Sequence, residues 1–198
     1  MSNNASNKIK SLISLNDFFI LSKARLSLSV VFSSLSGYFL APTIIDFQEI
    51  IFLSIGGFFL AGSSNAFNQI IEKDYDKKMQ RTKNRPIPTG RMSVTYALFV
   101  SVFMLILGLI SLYVLNPITA MFGAISVFIY TCVYTPLKSI TPLSVFLGAI
   151  PGAIPFMLGW VSATNDFSIE PGILFMIQFF WQFPHFWAIA WMTNDDYS

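Results

Sequence analysis

Six apolar runs, each close to twenty residues and each free of Asp, Glu, Lys and Arg, divide most of this sequence: 26–45, 50–71, 94–115, 118–137, 143–163 and 171–193. About 20 helical residues cross the hydrocarbon core of a bilayer. Inside that core no water satisfies backbone N–H and C=O groups, so runs of this kind have to be helices. Composition agrees: 54% of the chain is hydrophobic and 11% charged, where a soluble domain carries roughly 25% charge. The expected fold is all-α, a polytopic helical bundle with six membrane helices forming a single embedded domain over residues 1–198.

Alternating the six runs puts the N-terminus, the segments 72–93 and 138–142 and the C-terminus on one side. All 12 Lys and Arg residues fall there, whereas the other side carries only Asp46, Glu49, Asp166 and Glu170. By the positive-inside rule the basic side is cytoplasmic. Residues 1–25 read as a cytoplasmic or interfacial segment. Residues 1–16 lack the basic start, short apolar core and cleavage site of a signal peptide, and the arginines of a transit peptide. A bacterial inner membrane is the expected compartment, with the mitochondrial inner membrane as the alternative. A net charge of +2 does not point to nucleic acid, and the one cysteine, Cys132, has no partner within the chain.

Chemistry concentrates where the second run meets the longest inner segment. Read as a helix, Asn65, Asn68, Glu72 and Asp76 fall within about 80° of one another along roughly 16 Å. Gln69 adjoins this stripe and Asp74 points away from it. Carboxylate and amide oxygens are hard donors that suit Mg²⁺. Arg81 and Arg85 follow, and guanidinium groups fork onto phosphate oxygens. Acid, metal and arginine together read as a diphosphate site. The plain alternatives are a solvated loop or a topology-setting loop of a transporter. Neither accounts for two asparagines at membrane depth, where polar groups usually face a cavity.

Two further inner ends carry candidates. Tyr134 and Lys138 stand four apart, with Pro136 between them. Lys138 is either a snorkelling topology lysine or another diphosphate ligand. His185 follows Pro184 among aromatics, as a histidine bonded within the bundle, a substrate contact or a proton carrier. Asp195 and Asp196 would lie level with Glu72 and Asp76 and carry a second Mg²⁺, unless they are simply solvated. Pro151, Pro155 and Pro184 suggest kinks.

The stretch Asn68-Gln69-x-x-Glu72-x-x-x-Asp76 resembles the first acidic motif of the UbiA-type intramembrane prenyltransferases, with Gln69 and Glu72 in place of two aspartates. That variant, with Arg81-Thr82-x-x-Arg85-Pro86, resembles the heme-farnesylating branch of the family. Tyr134-x-x-x-Lys138, the Gly148–Pro155 repeat and Trp181-Gln-x-Pro184-His185-Phe186-Trp187 are similar too. The resemblance implies nine helices around a cavity open to the cytoplasmic side. Substrates would be farnesyl diphosphate and heme b, and the product heme O, for terminal oxidases. Mg²⁺ would be held by Asn68, Glu72, Asp76, Asp195 and Asp196. Arg81, Arg85 and Lys138 would neutralise the leaving diphosphate, Asn65, Gln69 and Tyr134 would bind substrate, and His185 would meet heme. Contact with heme A synthase or oxidase assembly factors is also implied. Set against nine helices, six make the chain look truncated at its C-terminus and place activity of the chain alone in doubt. The competing readings are a quinone or chlorophyll-type acceptor, or a transporter or scaffold.

Overall fold

The computed structural model describes residues 15–192, and among these every regular element is helical. In order they are α1 (Leu15–Leu21), α2 (Ala24–Leu40), α3 (Phe47–Ile71), α4 (Lys73–Asp76), α5 (Val94–Leu115), α6 (Pro117–Phe128), a π-helical turn (Ile129–Tyr134), α7 (Thr135–Leu137), α8 (Ser144–Thr164) and α9 (Ile169–Met192). Local chemistry sets the boundaries. Asp46 caps α3 by accepting from the Gln48 amide at 2.7 Å. Ser93 caps α5 through Tyr96 N at 3.2 Å, and Asn116 caps α6 through Thr119 N at 2.7 Å, with Pro117 at the first helical position. The first run ends earlier than expected, at Leu40, because Ala41 ahead of Pro42 is held extended. The π-helical turn was not expected at all. Pro151, Pro155 and Pro184 sit inside α8 and α9 without ending them.

Four runs are long and apolar enough to cross a membrane: Phe47–Ile71, Val94–Leu115, Pro117–Leu137 and Ser144–Thr164. A fifth qualifies if α1 and α2, which meet at 57°, count as one broken span. The 24-residue α9 carries Gln178, Gln182, Pro184 and His185 and is not among these runs. Large side chains crowd the outer faces: Phe99, Val102, Phe103, Ile106 and Ile110 of α5 are all exposed. A continuous apolar face of this kind belongs in lipid, and the chain is an integral membrane protein.

Helix α3 packs on α5 and α2, while α8 packs on α2, α6 and α9. The main core joins Tyr38, Leu53, Leu60, Leu112, Val127, Ile154, Met157, Leu158 and Val161. Glycines bring α2 and α8 together, as small residues do between membrane helices. A methyl group at Gly159 would stand 1.7 Å from Ser34 O, and one at Gly37 would stand 1.9 Å from Phe156 O. Backbone cannot yield as a side-chain tip can. Gly159→Ala is therefore expected to cost at least the roughly 1–3 kcal/mol of an overpacked core. Thermal melting in detergent checks this, and an unchanged midpoint would contradict the close approach.

Candidate active site at the charged end of the bundle

Helix α3 ends at Ile71, but its periodicity does not. Glu72 N donates to Asn68 O at 2.9 Å and Asp76 N to Glu72 O at 2.8 Å. The i, i+4 spacing thus carries across the junction into α4, so Asn68, Glu72 and Asp76 keep a common register. Asp74 is solvent-exposed and pairs with Lys77. The segment after α4 is not a solvated loop. Thr82, Ile87 and Met92 are buried, and Ile87 and Met92 pack with Leu21, Ala66 and Ala97. Thr82 Oγ1 donates to Asp76 O at 2.9 Å, and the chain turns back at Gly90 with φ 76°.

This folding brings each acid to a base. Arg85 Nη1 donates to Asp76 Oδ2 at 2.7 Å and to Oδ1 at 2.9 Å. Lys138 Nζ lies 2.5 Å from Glu72 Oε1 and 5.9 Å from the centre of the Tyr134 ring. Asp76 and Glu72 are 4% and 13% exposed at the side chain, which makes these pairs stronger than surface ones. Arg81, in the same segment, is exposed.

Asn65 is buried and lines a cavity of about 310 Å³. Asn68 is buried beside it along α3, and its amide donates to Thr135 Oγ1 at 3.4 Å. Thr135 donates in turn to Tyr130 O at 2.7 Å, across the π-helical turn. That turn carries Tyr130 and Tyr134, whose rings are 5.4 Å apart, to the cavity wall. Phe186, 6.4 Å from Tyr134, and His185 complete this end of the wall. Gln182, also in the wall, donates to Gly152 O at 3.3 Å and ties α9 to α8.

Gln69 is tied to the start of the chain. It is wholly buried, and its amide nitrogen donates to Ile20 O at 3.0 Å and Leu21 O at 2.7 Å. It holds the break between α1 and α2 against α3. A second tie, Arg91 Nε to Asp17 Oδ1 at 3.1 Å, joins α1 to the segment 72–93. Asp195 and Asp196 lie outside the described residues.

The break held by Gln69 presents Lys23, which from sequence counts only as a topology charge, to the electrostatic field of Glu72, Asp76, Arg85 and Lys138. Lys23 takes the left-handed conformation at φ 45°, in the turn ahead of α2. Burial, then the repulsion of Arg85 and Lys138, lower its pKa from 10.5 to about 8, while Glu72 and Asp76 act the other way. A bound polyanion favours the charged ammonium, so it raises that pKa. Diphosphate binding is therefore expected to take up a proton at pH 9, and to weaken as pH rises through 8. Calorimetry at pH 9 in buffers of different ionisation enthalpy measures the uptake. Equal apparent enthalpies in all buffers would contradict it, and Lys23→Met should abolish it.

Among the described residues no three Asp, Glu, His or Cys side chains converge on one point. Mg²⁺ does not need that. It commonly takes one or two carboxylates and completes its shell with water and substrate phosphate. The all-oxygen set of Asn68, Glu72 and Asp76 fits that habit.

The sequence profile of the UbiA prenyltransferase family matches residues 30–198, and the chain belongs to this family. The chain is 61% identical over 184 residues to the protoheme IX farnesyltransferase of Christiangramia forsetii, covering 93% of this chain and 61% of that protein. It thus spans about three fifths of the length of that curated relative. The apo structure of a UbiA homologue from Aeropyrum pernix K1 superposes with TM-score 0.75 at 18% identity, over 87% of this chain and 65% of that one. A UbiA homologue from Archaeoglobus fulgidus bound to DMAPP and Mg²⁺ superposes with TM-score 0.68 at 16% identity, over 85% of this chain and 62% of that one.

Proposed function

We propose that this chain forms the diphosphate-binding part of an enzyme that transfers farnesyl from farnesyl diphosphate to a vinyl group of heme b, making heme O. One observation carries the reading: two carboxylates and their two cationic partners stand at the inner end of α3, beside an apolar cavity. The likeness to protoheme IX farnesyltransferases supports heme b as acceptor. Six membrane crossings are proposed, with α9 among them and the charged end in the cytoplasm of a bacterial inner membrane. Delivery of product to heme A synthase or oxidase assembly factors belongs to the same proposal.

Mg²⁺, when bound, supplies positive charge that stabilises the departing diphosphate. Asn68, Glu72 and Asp76 are the donors that would hold it on this chain. Lys23, Arg85 and Lys138, with Arg81 from the same segment, place cations where charge develops as the allylic C–O bond breaks. The electron pair leaves with the diphosphate, and the farnesyl carbon becomes a cation. Tyr130, Tyr134 and Phe186 offer ring faces at about 0.5–2 kcal/mol each, without a nucleophile strong enough to trap it. The vinyl π pair of heme then forms the new C–C bond. Water adds to the resulting cation on the porphyrin side and releases one proton. Asn65 orients substrate below the diphosphate, and His185 faces the heme. Excluding water until the C–C bond forms is the task of the apolar wall.

Cells expressing the reading frame that encodes this chain should accumulate heme O, identified by mass. Heme b alone in the extract, with prenylated quinone instead, would move the acceptor assignment. No release of diphosphate from farnesyl diphosphate would favour a transporter or scaffold. For His185→Ala, heme titration followed by absorbance should weaken about tenfold, and an unchanged titration would leave the residue structural.

A further inference from the structure

The cavity that begins at Asn65, Tyr134 and His185 ends in a plug of three leucines. Leu60 of α3, Leu112 of α5 and Leu158 of α8 line it away from the charged end and are 6%, 0% and 5% exposed. They are seated on glycine. A methyl group added at Gly123 of α6 would stand 2.7 Å from Leu60 Cδ1, 2.8 Å from Leu112 Cδ1 and 4.0 Å from Leu158 Cδ1. The outer faces of the plug interlock as well. A methyl group at Gly56 would come within 2.5 Å of Leu112 Cδ2, and one at Gly108 within 2.8 Å of Leu60 Cγ. Four helices thus meet at one closely packed layer of the cavity wall.

The depth of that layer has a chemical meaning. The 12 residues from Leu60 to Glu72 put the plug about 18 Å from the carboxylates, at 1.5 Å per helical residue. An extended chain advances about 1.2 Å per bond, so three isoprene units reach about 14 Å and a fourth adds about 5 Å. The diphosphate takes up the first part of the available depth. Three units on that diphosphate reach the leucine layer, and a fourth would have to press past it.

We propose that Leu60, Leu112 and Leu158, seated around Gly123, are the ruler that limits the prenyl donor to three isoprene units. This rests on the reading of the inner end as a prenyl-diphosphate site. The leucines are specificity residues that touch only the tail, far from the breaking bond. Leu60→Ala and Leu158→Ala each remove three carbons from the plug and open a hole continuous with the cavity. Gly123→Ala works in reverse, because its methyl adds volume where the tips of Leu60 and Leu112 already stand within 2.8 Å.

The test measures binding of geranyl, farnesyl and geranylgeranyl thiodiphosphates, which resist ionisation, to the chain in nanodiscs with Mg²⁺. Wild type should prefer the farnesyl over the geranylgeranyl compound by about tenfold or more, the scale on which an apolar pocket rejects an oversized ligand. Leu158→Ala should erase that preference or invert it, and Leu60→Ala should act in the same direction. Gly123→Ala should weaken the farnesyl compound relative to geranyl. Inorganic pyrophosphate binding, at the opposite end, should not change in any variant, which identifies variants that remain folded. The same farnesyl to geranylgeranyl ratio in wild type and both leucine variants, with pyrophosphate binding intact, would overturn the ruler alone. Failure of wild type to bind any of the three thiodiphosphates would overturn the site reading and the ruler with it.

Discussion

Asp76→Asn will both loosen the charged end of the bundle and remove prenyl-diphosphate binding, and a second substitution will separate the two losses. Asp76 is 4% exposed at the side chain and Arg85 16%, with 2.7 Å between Oδ2 and Nη1. Neutralising one member of a buried pair leaves the other charge without compensation, at about 3–5 kcal/mol. The single variant should therefore melt earlier and bind at least about 10³-fold more weakly, as expected when a group that organises charge at a reacting centre is lost. Asp76→Asn/Arg85→Gln restores neutrality and leaves an amide pair able to share a hydrogen bond. Its melting point should return to within about 1 kcal/mol of wild type, since replacing both partners of a buried pair is often near neutral. Its affinity for farnesyl thiodiphosphate should stay as low as that of the single variant. Melting in detergent and calorimetry on the same preparations give both numbers. If binding recovers together with stability, Asp76 and Arg85 are scaffold and the site lies elsewhere.

Much of the bundle could be read from hydrophobic run length, because the bilayer leaves only that solution to an apolar chain. The run at 94–115 became α5 residue for residue, and 118–137 became α6, the π-helical turn and α7. The stripe through Asn68, Glu72 and Asp76 was legible because a four-residue spacing survives a helix junction as long as the i to i+4 bonds continue. Four features were not legible. Gln69 sits on the same motif but turns to the carbonyls of Ile20 and Leu21, a partner choice made by α1, which is far away in sequence. Lys23 looked like any basic residue at a membrane edge until the left-handed turn set it, half-buried, in the field of Arg85, Lys138, Glu72 and Asp76. Thr135 and Tyr130 acquire meaning only from the π-helical turn, which no periodicity announced. The pairing of acids with bases was also hidden. Spacing placed Glu72, Asp76, Arg85 and Lys138 near one membrane surface but could not say that each carboxylate already holds a cation.

That pairing has a thermodynamic consequence, and Arg85→Gln exposes it. In the proposed site a metal ion must draw Asp76 from Arg85 and Glu72 from Lys138, while a diphosphate must draw the same cations the other way. Either ligand alone breaks pairs and leaves charges stranded. Both together exchange partners completely, with carboxylates on metal and cations on phosphate. Their affinities are therefore coupled, and the coupling is reciprocal. Pyrophosphate should tighten Mg²⁺ binding by about 5–150-fold, the usual span of a 1–3 kcal/mol coupling, and Mg²⁺ should tighten pyrophosphate by the same factor. In Arg85→Gln the Asp76 carboxylate loses its partner inside a buried site. Mg²⁺ alone then supplies the missing charge, so its affinity should rise about tenfold over wild type at pH 7.5, and added Mg²⁺ should raise the melting point of the variant more than that of wild type. Pyrophosphate affinity should fall, because a cation that received it is gone, and the coupling factor should shrink. Calorimetry of each ligand with and without the other closes the cycle. Equal Mg²⁺ affinities for wild type and Arg85→Gln would mean that Arg85 and the metal do not compete for Asp76, and would remove Asp76 from the proposed metal shell.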